Sequence, residues 1–163
     1  MLGPMVRPGM KVADIGCAMG YFTLPLARLV GPEGKVVAVD LQPKMLAGLE
    51  RRARRAGLAD RIERRLSQGD SFGLDGLRAD IDLAVLIHVA HEVPNRPALF
   101  AAIHEALKPG GAVLFAEPRG HVSTAAFEES LAMARACGFS ASPGPRLRRA
   151  HTAVLRRVLS FSS

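Results

Sequence analysis

The chain is poor in cysteine and aromatic residues, with two Cys, one Tyr and no Trp, and it contains no long apolar run. Cys17 and Cys137 lie far apart and match neither a zinc-site spacing nor a dense disulfide framework. The most apolar segment, residues 81–90, is interrupted by Asp82 and His88 and is much shorter than the roughly 20 residues of a transmembrane helix. Proline, glycine and charge interrupt the amino terminus before a signal peptide could form. These absences predict a cytoplasmic protein with no membrane partner.

Composition indicates one globular unit. The chain has 163 residues, of which 48% are hydrophobic and 23% are charged, and it shows no linker, repeat or low-complexity tract. We therefore predict a single domain over residues 1–163. The formal charge of +7 permits an anionic partner but does not establish one.

Short apolar runs alternate with segments of helical periodicity along most of the chain. The predicted strands are 11–15, 35–39, 62–67, 81–87 and 112–116, and the predicted helices are 23–30, 43–56, 96–107 and 123–137. Such alternation predicts an α/β fold in which a doubly wound parallel sheet is covered on both faces. Residues 139–159 have room for an antiparallel hairpin of two strands joined by a tight turn near residues 149–151. Because Pro143 cannot donate to a strand ladder, the first hairpin strand is predicted at a sheet edge.

A strand that runs into a turn of small residues carries the main functional signal. The segment reads Asp14-Ile15-Gly16-Cys17-Ala18-Met19-Gly20, and a helix is predicted directly after it. Small residues let the backbone approach a ligand closely, and a helix start offers unpaired N–H groups. Asp40 ends the next strand, where a carboxylate can accept hydrogen bonds from ribose hydroxyls. A ligand that contains a nucleoside is therefore predicted.

A dinucleotide oxidoreductase is the first alternative for this loop. Its G-x-G-x-x-G fingerprint requires a third small residue where the helix packs on the strand, and Tyr21 stands at that position. The segment instead resembles motif I of the class I S-adenosylmethionine-dependent methyltransferases, in which an acidic residue precedes a G-x-G-x-G turn. Ala18 replaces the middle glycine, and its methyl group is expected to be tolerated there if the backbone keeps a negative φ.

Four further segments resemble motifs of the same family, in the family's order. They are Val36-Val37-Ala38-Val39-Asp40 with Met45-Leu46, then Gln68-Gly69-Asp70, then the strand 80–87, and then Leu107-Lys108-Pro109-Gly110-Gly111. The resemblance implies a Rossmann-like sheet of seven strands in the order 3-2-1-4-5-7-6, with strand 7 antiparallel. It also implies S-adenosyl-L-methionine as cofactor and S-adenosyl-L-homocysteine as product.

The resemblance implies a role for each matching residue. Gly16, Ala18 and Gly20 would flank the methionine and ribose parts of the cofactor, and Asp14 would order the loop. Asp40 would hold the ribose hydroxyls. Asp70 would accept from the adenine amino group, with Leu41 and Ser71 beside the ring.

Two histidines follow the fourth predicted strand, at the sheet edge where open α/β folds bind ligands. A neutral imidazole can accept a proton near pH 7, so His91 is the first candidate for a catalytic base and His88 the second. The alternative is that both line the cofactor pocket or brace the loop. No metal site is predicted, because His88-x-x-His91-Glu92 lacks the H-E-x-x-H order of zinc proteases.

The leading functional hypothesis is methyl transfer to a small-molecule acceptor. An RNA or protein methyltransferase is the second, and a non-catalytic regulator that binds the cofactor is the third. The arginine-rich segments 51–65 and 146–157 are predicted at opposite ends of the sheet, which disfavours a continuous nucleic-acid track. Few residues precede the first strand, so no amino-terminal lid is expected, and a homodimer is predicted to cover the apolar rim formed by Met19, Tyr21, Phe22 and Val93.

Overall fold

A computed structural model describes residues 1–159, so the last four residues of the predicted domain lie outside the described residues. The strands are β1 (Lys11–Ile15), β2 (Lys35–Asp40), β3 (Ile62–Leu66), β4 (Ile81–Ile87), β5 (Leu107–Pro118), β6 (Phe139–Pro143) and β7 (Ala150–Arg157). The helices are α1 (Thr23–Val30), α2 (Pro43–Arg55), α3 (Arg96–Ala106) and α4 (Thr124–Ala136). Within residues 1–159, no helix has the length and apolar character needed to cross a membrane.

The seven strands form one sheet in the order β3-β2-β1-β4-β5-β7-β6. Strands β1 to β5 pair in parallel, whereas β7 pairs antiparallel to both β5 and β6. The predicted doubly wound fold and strand order are therefore confirmed. The order reverses between β1 and β4, and open α/β sheets bind ligands beyond the carboxyl ends of the strands at such a switch point.

Both faces of the sheet are covered, which explains the continuous apolar runs in the strands. Val37 and Val39 of β2 face one core, to which α3 and α4 contribute side chains such as Phe100 and Phe127. Their neighbours Val36 and Ala38 face the other core, where α1 and α2 pack. Alternating residues of one strand thus stabilise two separate layers.

The carboxy-terminal hairpin forms with β6 at the sheet edge, where Pro143 costs no ladder hydrogen bond. The tight turn predicted near residues 149–151 is displaced, because Ala150 and His151 already belong to β7. A turn closed by the Ala150 N–H and the Leu147 carbonyl oxygen, at 3.3 Å, lies directly before it. Residues 144–149 form a longer connection between β6 and β7, and Arg149 ends it with a φ of 60°. Pro145, which lies in this connection and has no backbone N–H, fits the loss of strand pairing there.

The arginine-rich segments lie toward opposite ends of the sheet, as predicted from the strand order. In segment 51–65, several guanidinium groups have intramolecular partners. Arg54 and Arg64 both contact the carboxylate of Glu50, and Arg65 contacts Glu63. These ion pairs are typical of a solvated protein surface on which arginines pair with nearby glutamates of the same chain.

Candidate functional site

The carboxyl ends of β1, β2 and β4 surround a cavity of about 490 Å³. That volume lies in the range of small-molecule and cofactor sites. The loops that follow the three strands supply most of its walls. The lining residues include Gly16, Ala18, Asp40, Leu41, Met45, Gly69, Phe72, His88, Val89 and Glu92.

Two glycines of the loop after β1 sit where a side chain has no room. Gly16 has a φ of +74°, and a Cβ there would lie 2.4 Å from Cγ2 of Val89 in the cavity wall. Gly20 has a φ of +97°, and its Cβ would lie 2.5 Å from Cδ1 of Leu49 on α2. The loop therefore needs glycine at both positions for backbone conformation and for close packing.

We expect Gly20→Ala to destabilise the protein by about 2 kcal/mol, because it adds left-handed strain to overpacking against buried Leu49. Gly57→Ala is the matched control, since Gly57 has a φ of +70° with nothing within 4 Å of the added Cβ. The control should lose only about 1 kcal/mol from strain. Urea unfolding of both variants measures the difference, and equal losses would show that the Leu49 contact does not matter.

The middle position of the loop departs from our expectation. The condition set for Ala18, a negative φ, is not met, because its φ is +49°. A hydrogen bond across the loop accounts for this conformation: the Ala18 N–H donates to Oδ2 of Asp40 at 2.9 Å. A non-glycine residue in the left-handed region costs roughly 1 kcal/mol or more, and such strain is concentrated at functional sites.

Asp40 is held in a fixed orientation at the cavity wall. Its Oδ2 accepts from Ala18, and its Oδ1 accepts from the N–H of Gln42 at 2.9 Å. Each carboxylate oxygen has a further lone pair after these bonds. The carboxylate is therefore oriented by the backbone and retains acceptor capacity for two ligand hydroxyls.

Asp14 lies behind the loop and is buried. The hydroxyl of Thr23, the first residue of α1, donates to its Oδ2 at 2.6 Å. Burial raises the pKa of Asp14 to about 6, the Thr23 hydrogen bond opposes that increase, and the charge of Asp40 adds to it. Asp14 thus joins the end of β1 to the start of α1 and anchors both ends of the loop.

Not every predicted cofactor residue faces this cavity. Asp70 and Ser71 lie on a short 3-10 turn and line a neighbouring cavity of about 420 Å³ beside α3. Gly69 and Phe72, on either side of them, line the main cavity. The roles of Asp70 and Ser71 at the adenine ring stay predictions. Phe72 lines the main cavity with an apolar side chain, which the sequence reasoning missed.

Tyr21, which stands at the third small-residue position of a dinucleotide fingerprint, lies on the surface. The Tyr21 side chain is 77% exposed and therefore does not obstruct helix packing, whereas Gly20 packs closely against Leu49 of α2. Cys17 is buried within the loop, and burial raises the pKa of its thiol. Cys17 therefore acts as a packing residue and not as a nucleophile.

The two candidate histidines occupy different environments. His88 directly follows β4, has a φ of 60° and lines the cavity. His91 lies on the next 3-10 turn, Ala90–Glu92, and does not line the cavity itself. Its Nδ1 lies 3.0 Å from Oε2 of Glu117, the penultimate residue of β5. Of these two histidines, only His91 has a carboxylate at its ring within residues 1–159.

Glu117 is a residue that sequence reasoning missed. It is 1% exposed, and its Oε2 also accepts from the backbone N–H of His91 at 2.9 Å. The available signal was a carboxylate that directly follows the apolar run of β5, residues 112–116. Buried carboxylates need partners, so such a position predicts a paired and functionally placed group.

The fold and the site together define a class. A doubly wound sheet carries a glycine-containing loop and an oriented carboxylate at its switch point, which suits a cofactor containing a nucleoside. A family model described as "Methyltransferase domain" matches residues 12–111, which span β1 through the start of β5. The chain belongs to the S-adenosylmethionine-dependent methyltransferase family, and S-adenosylmethionine is the cofactor of that family.

Curated relatives agree with this assignment. The chain is 32% identical over 108 residues to a demethylmenaquinone methyltransferase of Lactobacillus johnsonii, covering 66% of this chain and 43% of that protein. It is 30% identical over 126 residues to a ubiquinone/menaquinone biosynthesis C-methyltransferase of Teredinibacter turnerae, covering 76% of this chain and 50% of that one. The chain spans about half the length of these relatives.

Solved structures show the same fold. A SAM-dependent methyltransferase from Aquifex aeolicus superposes with a TM-score of 0.82 at 18% identity, covering 94% of this chain and 85% of that chain. A SAM-dependent methyltransferase from Methanosarcina mazei gives a TM-score of 0.74 at 18% identity, covering 95% of both chains. At this identity the superpositions establish the architecture.

Proposed function

We propose that this protein transfers the methyl group of S-adenosylmethionine to a small-molecule acceptor in the cytoplasm. The observation that carries the proposal is the Asp40 carboxylate, which two backbone N–H groups orient toward the cavity at the switch point. Relatives named for quinone methylation and for carboxy-S-adenosyl-L-methionine synthesis support an acceptor of low molecular weight.

The lining residues fit the cofactor's chemistry. Asp40 would hold the ribose hydroxyls, and Gly16, Ala18 and Gly20 would bring the loop backbone close to the ribose and methionine parts. Leu41, Met45 and Phe72 offer apolar surface for the adenine ring. When bound, S-adenosylmethionine supplies an electrophilic methyl carbon, and its sulfur retains the electron pair of the broken bond. The protein's own contribution is alignment, exclusion of water and removal of a proton.

His91 is our candidate for the group that removes this proton. Its Nδ1 is tied to Glu117, and its Nε2 lies 3.9 Å from the nearest Glu92 oxygen, beyond hydrogen-bond distance. Nε2 is therefore available as an acceptor. His88, which lines the cavity, is assigned to the cofactor wall.

A screen of acceptor pools with methyl-labelled S-adenosylmethionine tests the proposed function. We expect label transfer to a fraction of small metabolites and none to stripped RNA or to bulk protein. Transfer to RNA alone would favour an RNA methyltransferase, the alternative that the net charge of +7 supports. Tight cofactor binding with no transfer to any pool would favour a non-catalytic regulator.

We expect Asp40→Ala to weaken S-adenosylmethionine binding by ~2 kcal/mol, about 30-fold in Kd, because charge-assisted hydrogen bonds to the ligand are lost. Isothermal titration calorimetry on the folded variant measures this. Asp60→Asn is the control, since Asp60 is exposed on a turn outside the cavity and should leave Kd unchanged. Unchanged affinity in Asp40→Ala would remove Asp40 from the ribose site.

We also propose that residues 1–163 form one methyltransferase domain that associates as a homodimer. Met19, Tyr21 and Leu41 are 46%, 77% and 71% exposed and lie on the cofactor loop and beside the cavity. Phe22 and Val93, which were expected in the same rim, are half-buried. Two exposed apolar side chains of the cofactor loop, together with Leu41 in the cavity wall, offer apolar surface that a second copy can cover.

Light scattering at micromolar concentration is therefore expected to give twice the chain mass of 17.4 kDa. Tyr21→Glu should return the single-chain mass, because it places a charge on this apolar surface. Arg28→Glu, an exposed change on α1, is the charge control and should leave the mass at the dimer value. A single-chain mass for the unmodified protein would contradict the proposal.

A further inference from the structure

The pairing of Glu117 with His91 stands out among the polar contacts near the cavity. One oxygen of Glu117, Oε2, accepts from both the backbone N–H and the ring Nδ1 of His91, at 2.9 and 3.0 Å. The other oxygen, Oε1, is buried and has no hydrogen-bond partner within residues 1–159. The carboxylate therefore directs its contacts to one histidine.

This arrangement is costly for a purely structural contact. A buried carboxylate loses its hydration, and an oxygen without a partner adds a further penalty. A second histidine, His151 on β7, is the cross-strand neighbour of Glu117. Its Nε2 lies 2.9 Å from the carbonyl oxygen of Val122, so this ring nitrogen has another partner. A glutamine in place of Glu117 could accept the same two bonds without the buried charge. The charge therefore points to a role beyond holding the turn.

We propose that Glu117 is the positioning residue that makes His91 a proton acceptor, an inference that rests on the proposed methyl transfer. By accepting from Nδ1, Glu117 selects the neutral tautomer with its proton on Nδ1 and a free lone pair on Nε2. Its negative charge also stabilises the imidazolium that forms when Nε2 takes a proton. The acceptor is accordingly a protic group, such as a hydroxyl, an amine or an acidic carbon.

The position of the pair indicates where the acceptor enters. Glu92 and Val93 follow His91 and line the cofactor cavity, while Glu117 holds the His91 ring toward β5. The proposal accordingly places the acceptor between the cavity and β5, beside Nε2 of His91. As its reactive atom forms the bond to carbon, the lone pair of His91 Nε2 forms an N–H bond. The electron pair of the former acceptor–hydrogen bond stays on the acceptor atom.

Nitrogen NMR of histidine-labelled protein tests the positioning without substrate or cofactor. At a pH where imidazoles are neutral, His91 in the wild type should carry its proton on Nδ1, and His91→Asn assigns the signal among five histidines. In Glu117→Leu, which removes the acceptor, the form with the proton on Nε2 should gain population. A wild-type His91 that already carries its proton on Nε2 overturns the proposal.

Kinetics and stability of Glu117→Gln separate positioning from support of the fold. This variant keeps an acceptor oxygen but loses the charge, so we expect kcat to fall about 10- to 100-fold with KM for S-adenosylmethionine unchanged. Its melting temperature should equal or exceed the wild-type value, since a buried charge is removed. Glu128→Gln, an exposed change on α4, is the matched control for charge and should keep wild-type kcat.

The outcomes distinguish this inference from the function on which it rests. Full kcat in Glu117→Gln overturns the role of the carboxylate charge, and full kcat in Glu117→Leu overturns the positioning role, while methyl transfer stands in both cases. A loss of melting temperature that accounts for the loss of activity likewise overturns the positioning role. A wild-type protein that transfers no methyl group to any pool overturns the proposed function and the base role together. The tautomer spectra would still decide whether Glu117 orients the His91 ring.

Discussion

Replacing His91 with asparagine should reduce kcat for methyl transfer by about 100-fold or more, the size of effect expected when a positioned base is lost. Affinity for S-adenosylmethionine should stay within about twofold, because His91 does not line the cofactor cavity. The experiment compares single-turnover rates on the acceptor fraction with calorimetric Kd values for the cofactor. A fall in kcat with constant Kd identifies a group that acts only on the acceptor.

Two other histidines give the controls for this prediction. His121 has a ring parallel to that of His91, with centroids 6.1 Å apart, and no carboxylate within ion-pair distance in the described part of the chain. His121→Asn should therefore retain wild-type kcat. His88→Asn should raise Kd for the cofactor, since His88 lines the cavity. If His88→Asn abolished kcat and His91→Asn did not, the two assignments would be exchanged.

Most of the fold could be predicted because its strands are buried on both faces. Runs such as Val36 to Val39 are apolar at every position, and glycine or proline marks many of their ends. The exception is β5, which begins at Leu107 and not near Ala112. Lys108-Pro109-Gly110-Gly111 has the composition of a turn, but Leu107 pairs with Ile81 across an irregular register. Tertiary pairing thus overrides local composition there.

The candidate site was only partly predictable because several of its features depend on distant contacts. The φ of Ala18 is tied to a hydrogen bond with Asp40, and the orientation of His91 depends on Glu117. Neither pair is close in sequence, so no local pattern contains the interaction. Motif spacing located the loop and Asp40, whereas the orientation of each group required the neighbouring strands β4 and β5 to be in place.

Asp14 should make the protein's stability depend on pH in a direction opposite to that of ordinary surface carboxylates. Its pKa is raised from 3.8 to about 6, chiefly by burial, so the folded state binds the proton more tightly than the unfolded state does. The resulting stabilisation is complete below about pH 4 and is lost as the pH rises through 6. The shift corresponds to roughly 3 kcal/mol of unfolding free energy at neutral pH.

Asp14→Asn isolates this contribution, because asparagine does not titrate and can still accept from the Thr23 hydroxyl. We expect the variant and the wild type to have similar unfolding free energies at pH 4. At pH 7 the variant should be more stable by up to about 3 kcal/mol. Urea unfolding at intervals from pH 4 to pH 8 gives the difference curve directly.

The exposed residue Asp60 provides the control, and Asp60→Asn should give a flat difference curve over the same range. A flat curve for Asp14→Asn would show that the carboxylate is not destabilised by burial, and a curve of opposite sign would indicate an unrecognised cationic partner.

The expected sign of the pH dependence has a functional meaning. A residue whose ionised form lowers stability at neutral pH, directly behind the cofactor loop, fits the general trade of stability for activity at functional sites.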